Sequence, residues 1–248
     1  MNDRPIRTSA DYAEIELGFE ATLRDRVESM VTDALASGTD RAGLAALTAN
    51  VTGYLEAAMA ELRRYNPPPT PLACRAGCDH CCHNPITTTP LQVLAIAETL
   101  RDDLGEAALA ALRRRLDQVL AAQSAEGWTA WALRRPRCPL LQDGGCIAYS
   151  VRPFGCRGWT SLDRAACAAD LARDGLEAVS VPFYLPQAKI ATSIQAGVEA
   201  GLGHAGYPAD PVELAAGLAL ALATLDASAR WLAGEPIFEA AHPPSTGA

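Results

Sequence analysis

All eight cysteines of this 248-residue chain fall between positions 74 and 167, and four share one short stretch, CRAGCDHCC, residues 74–82. A lone cysteine is often just a small buried apolar residue. That demand does not gather four thiols among arginine, aspartate and histidine. A chain carrying thiols at this density must close them on something, either each other as disulfides or a metal. The opening residues, MNDRPIRTSADYAEIELGFE, are charged throughout and lack the apolar core of a secretory signal. The expected location is therefore cytoplasmic, where disulfides do not persist. Ligation of a metal or cluster is the reading that follows.

The expected ligands are Cys74, Cys78, Cys81, Cys82, Cys138, Cys146, Cys156 and Cys167, with His80 and His83 as nitrogen substitutes. A C-x2-C or C-x3-C step lets one tight turn aim two sulfurs at one ion while backbone amides bond to the thiolates. Gly77 and Gly145, each just before a cysteine, permit such turns. The neighbours Cys81 and Cys82 are harder to place on one ion, because adjacent side chains diverge. The spacing leaves open two zinc sites, two iron-sulfur clusters, or one site with spare thiols. Either kind of four-thiolate site is anionic and calls for cations and N–H donors around it. Residues 134–164 carry six arginines against Asp143 and Asp163, which suits that need.

The sequence on either side of this region reads as helix. Ile15, Phe19, Leu23, Val27, Met30 and Ala34 recur every three or four positions and stop at Ser37-Gly38. Thr39 or Asp40 can cap a second helix with Leu44, Leu47, Val51, Tyr54, Ala58 and Leu62 on one face, antiparallel to the first. NPPPTP, residues 66–71, breaks regular structure. Thr89-Pro90 opens a third helix to about Arg101, and residues 106–123 form a fourth whose Arg113, Arg114 and Arg115 read as a solvated face. Residues 138–160 are irregular, with room for a short strand pair; residues 163–175 are helical and VSVPFYLP is extended. Residues 187–202 and 211–233 read as a final helical pair. The tryptophans read as core anchors. The expected fold is mainly α: helical pairs wrapped around an irregular, cysteine-rich metal-binding centre. It forms one α-rich domain over 10–235 with a metal-binding core at 72–170, and 1–9 and 236–248 are disordered tails.

Three blocks now stand out: CRAGCDHCC, then CPLLQDGGCIAYSVRPFGCR, then Ser161-x-Asp163-x3-Cys167. Together they resemble the YkgJ-like CxxCxxCC family, described as zinc- or iron-chelating proteins, over roughly residues 74–167. The matching positions include Cys138, Cys146, Tyr149, Arg152, Pro153, Cys156, Arg157 and Cys167. The chain departs in its first step, x3 between Cys74 and Cys78 where the family commonly has x2. The resemblance implies metal binding by these cysteines. Flagellin lysine methylases carry a similar cluster linked to iron-sulfur and S-adenosylmethionine, which makes a protein-modifying enzyme such as a lysine N-methyltransferase the second reading. A structural zinc adaptor is the third. Cys74-x3-Cys78-x2-Cys81 is also the spacing of radical S-adenosylmethionine enzymes, but those are β/α barrels, and no series of parallel strands follows here.

Net charge is −8, against broad nucleic-acid binding. The longest apolar run, LAAGLALALATL, is 12 residues (214–225), shorter than the ~20 a bilayer demands. The expected partners are therefore the metal ion or cluster, with a protein partner or substrate, and neither nucleic acid nor membrane.

Overall fold

Gly38, at φ +76°, ends the first helix, and Asp40 begins the second by accepting from the Gly43 N–H at 2.9 Å. The computed structural model describes residues 9–173 and 179–243, with side chains from residue 18 onward. Its first helices are α1 (Ser9–Ala36) and α2 (Arg41–Tyr65). Their buried faces are Leu23, Val27, Val31 and Leu35 on α1, and Leu44, Leu47, Val51, Leu55 and Met59 on α2. Both stripes are rotated slightly from the expected ones: Phe19 is exposed, while Met30, Ala34, Tyr54, Ala58 and Leu62 are only partly covered.

The chain is mainly α-helical, as expected. Helix α3 (Pro90–Asp103) is its most deeply set element, with Leu91, Val93, Leu94, Ile96, Ala97 and Leu100 all buried. Thr89 caps it by accepting from the Gln92 N–H at 3.3 Å, and Pro90 occupies the first turn, where its missing donor costs nothing. Then come α4 (Glu106–Glu126), α5 (Trp128–Leu133), α6 (Phe154–Gly158), α7 (Arg164–Ala172), α8 (Leu185–His204), α9 (Leu214–Ala223) and α10 (Ala227–Leu232). Among the described residues the only sheets are two-stranded and antiparallel. One pairs β1 (Thr87–Thr88) with β4 (Val212–Glu213), the other β2 (Leu141–Gln142) with β3 (Gly145–Cys146). No β/α barrel is present among them.

The final helices pair differently from the expectation. Helix α8 packs chiefly on α1, and α9 packs on α3 and α4. Two glycines one turn apart explain the first choice. A Cβ on Gly197 would lie 2.5 Å from the Arg24 carbonyl oxygen, and one on Gly201 would lie 2.6 Å from Val31 Cβ, so the two backbones meet where only glycine fits. Residues 211–233 are not one helix either. The chain breaks after Ala223, with Asp226 in the left-handed region at φ +52°. Arginines stabilise the break: Arg101 donates to the carbonyls of Ala221 and Thr224 at 2.5 and 2.9 Å, and Arg113 to that of Leu222 at 3.0 Å. Arg113 thus works as a helix cap, not as part of a solvated face.

Toward the C-terminal end a 3-10 turn spans Glu239–Ala241 and Phe238 and Ala241 are buried, so these two residues of the expected disordered tail pack on the core. At the N-terminal end Ser9 begins α1; residues 1–8 and 244–248 lie outside the described residues. Helix α7 ends at Ala172, so Gly175, the expected helix end, also lies outside them. No described helix is long and apolar enough to cross a membrane.

Candidate metal centre

Three segments bring the cysteines together, and each is shaped by backbone hydrogen bonds that its sequence makes possible. The first begins where prolines 67–69 end α2; the Tyr184 hydroxyl donates to the Asn66 carbonyl there. Gly77, at φ +80°, closes a turn in which the Cys78 N–H donates to the Arg75 carbonyl at 3.0 Å. A 3-10 turn over His80–His83 then carries the vicinal cysteines, with the Cys82 N–H on the Asp79 carbonyl at 2.8 Å. The turn is kinked at Cys82, whose backbone leaves helical geometry at φ −74°, ψ 16°. Cys81 is exposed and Cys82 half-buried. A hydrogen bond between their thiols is the largest influence on both: it lowers Cys81 to about 7 and raises Cys82, with burial adding to the rise.

The second segment is tied to the first by its backbone: the Cys138 N–H donates to the Cys82 carbonyl at 2.7 Å. Arg115 Nε holds the adjacent Pro139 carbonyl at 2.9 Å, so this arginine too is structural, not a solvated charge. In the Cys-Pro-Leu-Leu turn the Leu141 N–H donates to the Cys138 carbonyl at 3.0 Å, and the Leu140 N–H faces the Cys138 sulfur and lowers its thiol. Burial nevertheless pushes that thiol up to about 12. The β2–β3 hairpin turns on Asp143 and Gly144, both at positive φ (50° and 74°), as a type I′ turn requires. The turning glycine is therefore Gly144, not Gly145. Cys146 returns opposite Leu141 and accepts from the Ala148 N–H; burial is the larger effect and raises its thiol. Helix α6 carries Cys156 between buried Phe154 and Gly158, whose missing side chain lets the helix press onto Ala191 of α8. Burial and then the thiols of Cys138, Cys81 and Cys146 push Cys156 upward.

The third segment explains the Ser161-x-Asp163-x3-Cys167 block. Ser161 pairs with Phe183 in an isolated antiparallel bridge, the part of the expected extended stretch that pairs, and Leu185 and Pro186, expected as extended, belong to α8. The Ser161 N–H donates to the Cys74 sulfur at 3.2 Å, and its carbonyl accepts from Ala73 at 2.9 Å. Its hydroxyl bonds the Asp163 carbonyl at 2.9 Å. Asp163 in turn caps α7, accepting from Ala165 and Ala166 at 2.7 and 3.1 Å. That helix carries Cys167 and lies against the vicinal-cysteine turn. Arg135, itself at φ +56°, pins α7 through the Asp170 carboxylate and the Asp170 carbonyl (2.6 Å), joining the approach to Cys138 to the Cys167 helix. Residue order names Ser161, Arg115 and Arg135 but not what they hold; a serine two residues ahead of a helix-capping aspartate is the available signal for the first.

None of the eight cysteines is in a disulfide. Among the described residues, no three His, Cys, Asp or Glu side chains are drawn together tightly enough to form a finished metal site. The donor chemistry does fit one: eight free thiols, several already accepting N–H bonds, lie within electrostatic reach of one another. His80 adds a buried Nδ1 with no hydrogen-bond partner, 3.5 Å from Asp79 Oδ1. The arginines divide unevenly. Arg134 pairs with Glu126, Arg135 with Asp170, and buried Arg157 with Glu56 and the carbonyls of Ser150 and Arg152. Arg152, its guanidinium 3.8 Å above the Tyr149 ring, opposes the burial that raises Cys146 and Cys156 and adds to the thiol hydrogen bond in lowering Cys81.

A cleft of about 440 Å³ opens beside α6, lined by Glu20, Arg24, Trp159, Leu185, Lys189 and Ser193 among others. Trp131 and Trp231 are core anchors as expected. Trp159 is 49% exposed at this cleft, edge-on to Phe183 at 5.0 Å. No family model matches the chain, and no curated protein or solved structure is significantly similar to it.

Proposed function

We propose that this chain is a cytoplasmic metal-binding protein that holds zinc or iron, the latter as an iron-sulfur cluster such as [4Fe-4S], through its cysteine cluster. The observation that carries the reading is the Cys138 N–H to Cys82 carbonyl bond, which closes the distant second cysteine segment onto the first while all eight thiols stay free. Thiolate-rich sets of this kind suit zinc and iron-sulfur centres, and the amides on Cys74, Cys138 and Cys146 suit the negative charge such centres carry. Its likeness in motif to the YkgJ-like CxxCxxCC proteins points the same way. Burial holds the thiols of Cys74, Cys138, Cys146 and Cys156 above their ordinary value, so ligation must displace protons and metal retention falls as pH is lowered.

One observation favours a second reading, an enzyme that uses such a centre with S-adenosylmethionine to modify a protein. The cleft at Trp159, shortly after Cys156, has the volume of a small-molecule site. A closed zinc centre serving an adaptor role does not call for that cleft.

Anaerobic purification followed by metal and sulfide analysis and a visible spectrum tests both. Brown protein with stoichiometric sulfide supports a cluster. Colourless zinc protein sinks the cluster-dependent enzyme. Protein whose metal content is unchanged by serine at Cys78, Cys81, Cys138 and Cys156 overturns the ligation reading altogether.

A further inference from the structure

We infer that the cleft between α1 and α8 at Trp159 is a binding site for a free α-amino acid with an aromatic or branched apolar side chain. Such binding is independent of what the cysteines hold.

The walls of the cleft follow from how the two helices meet. They run side by side in the same direction, with Arg24 and Val27 against Gly197, and Glu28 and Val31 against Gly201. Toward the start of α8 the facing residues are small, Ala188 and Ser193 opposite Ala21, and the space between the helices opens to about 440 Å³. That is the size of a small-molecule site. Trp159 and Leu185 complete the lining, 49% and 55% exposed. The tryptophan is held in place: its N–H donates to the Gly155 carbonyl at 3.0 Å, the carbonyl of Thr160 accepts from the Tyr184 N–H at 2.9 Å, and its ring stands edge-on to Phe183. Two large apolar side chains left to water at one cleft, one of them a fixed aromatic ring, give an apolar group a surface that needs no ordering on binding.

The charged groups at the cleft have both signs: Glu20 and Arg24 come from α1, and Lys189 comes from α8. Arg24 is engaged by Asp25 at 2.9 Å. Glu20 Oε1 is buried with no hydrogen-bond partner among the described residues, and Lys189 Nζ stands 3.5 Å from it. A buried carboxylate oxygen without a donor is costly, and a ligand N–H relieves it. A simple amine would meet Lys189 and a simple carboxylate would meet Glu20, each facing its own sign. A molecule that carries ammonium and carboxylate on one carbon avoids both repulsions. Its ammonium donates to Glu20 Oε1 while its carboxylate lies against Lys189 Nζ. The Thr192 hydroxyl, which donates to the Ala188 carbonyl at 3.1 Å, keeps lone pairs to accept a further N–H. The apolar side chain is then left to Trp159 and Leu185.

Isothermal titration calorimetry of the full chain with L-phenylalanine, L-leucine, 3-phenylpropionate and phenethylamine tests this. Both amino acids should bind one to one, and the two analogues, each lacking one charge, should bind at least about tenfold more weakly. Trp159→Ala should weaken L-phenylalanine about tenfold. Glu20→Gln should weaken L-phenylalanine about tenfold yet leave 3-phenylpropionate bound no more weakly, a split that a folding defect does not produce. Circular dichroism confirms that each variant is folded. No binding of either amino acid at millimolar concentration, an analogue bound as tightly as L-phenylalanine, or an affinity untouched by both variants overturns the assignment. So does S-adenosylmethionine bound in the same cleft more tightly than either amino acid, which gives the cleft to the enzyme reading. The metal content of the same preparations should be equal in wild type and variants, so failure here leaves the metal-binding reading intact.

Discussion

The helical shell and the cysteine centre are held by different forces. In the shell, α1, α8, α3 and α9 meet through aliphatic side chains and glycines, and burial of Val27, Val31, Leu94, Ile194 and Leu218 supplies the stability. In the centre, strands are two residues long and the segments are fixed by single bonds from arginine, serine and backbone N–H groups to particular carbonyls, carboxylates or sulfurs. The shell is therefore sensitive to volume and the centre to the loss of individual donors. Filling space should damage the first and removing a guanidinium the second.

The largest effect is expected in the shell. Gly197→Val puts a side chain where the Arg24 carbonyl would be 2.5 Å away, and should cost at least ~3 kcal/mol or prevent folding. Urea unfolding reads the loss, and a substitution tolerated within ~0.5 kcal/mol would show that α1 and α8 are not in close contact. Next comes Arg157→Met in the centre. It strips the Arg152 and Ser150 carbonyls of their donor and frees Glu56, at a cost of about 2 kcal/mol. Unlike the glycine change, it should speed metal loss to a chelator more than it lowers the unfolding midpoint. The smallest effect is a pH dependence. Burial raises buried Glu213 above its ordinary 4.5, against the N–H bonds from Ala216 and Ala215. Its contribution to stability is full below the ordinary carboxyl range and is lost as pH rises through the raised value. Glu213→Gln keeps an oxygen for the Ala216 N–H and should flatten that decline, which unfolding curves at a series of pH values would detect.

The same contrast governs what could be read from residue order. Periodicity and caps are local, so the starts of α2, α3 and α7 at Asp40, Thr89 and Asp163 were legible. The position of Gly197 and Gly201 one turn apart signals close packing but does not name the partner helix, so α8 was paired with the wrong neighbour. Phe238 looked like tail because one aromatic residue has no period. In the site, the cysteines were evident by type and density. The groups that place them were not: Arg115 reaches Pro139, Arg135 reaches Asp170 and Ser161 reaches Cys74 across separations on which neighbouring residues carry no information.

The bond from Cys138 to Cys82 and the bond from Ser161 to Cys74 each join parts of the chain that are remote in sequence. Helices such as α3 and α4 form from near neighbours, whereas these loops must lose closure entropy before any contact rewards them. Enclosure of the thiols therefore depends on contacts that close long loops of chain. Until those loops close, free thiols are open to oxidation. A chain refolded with its thiols reduced should therefore regain its native fold in higher yield than one refolded in the presence of an oxidant, as soluble monomer after dilution from urea would show.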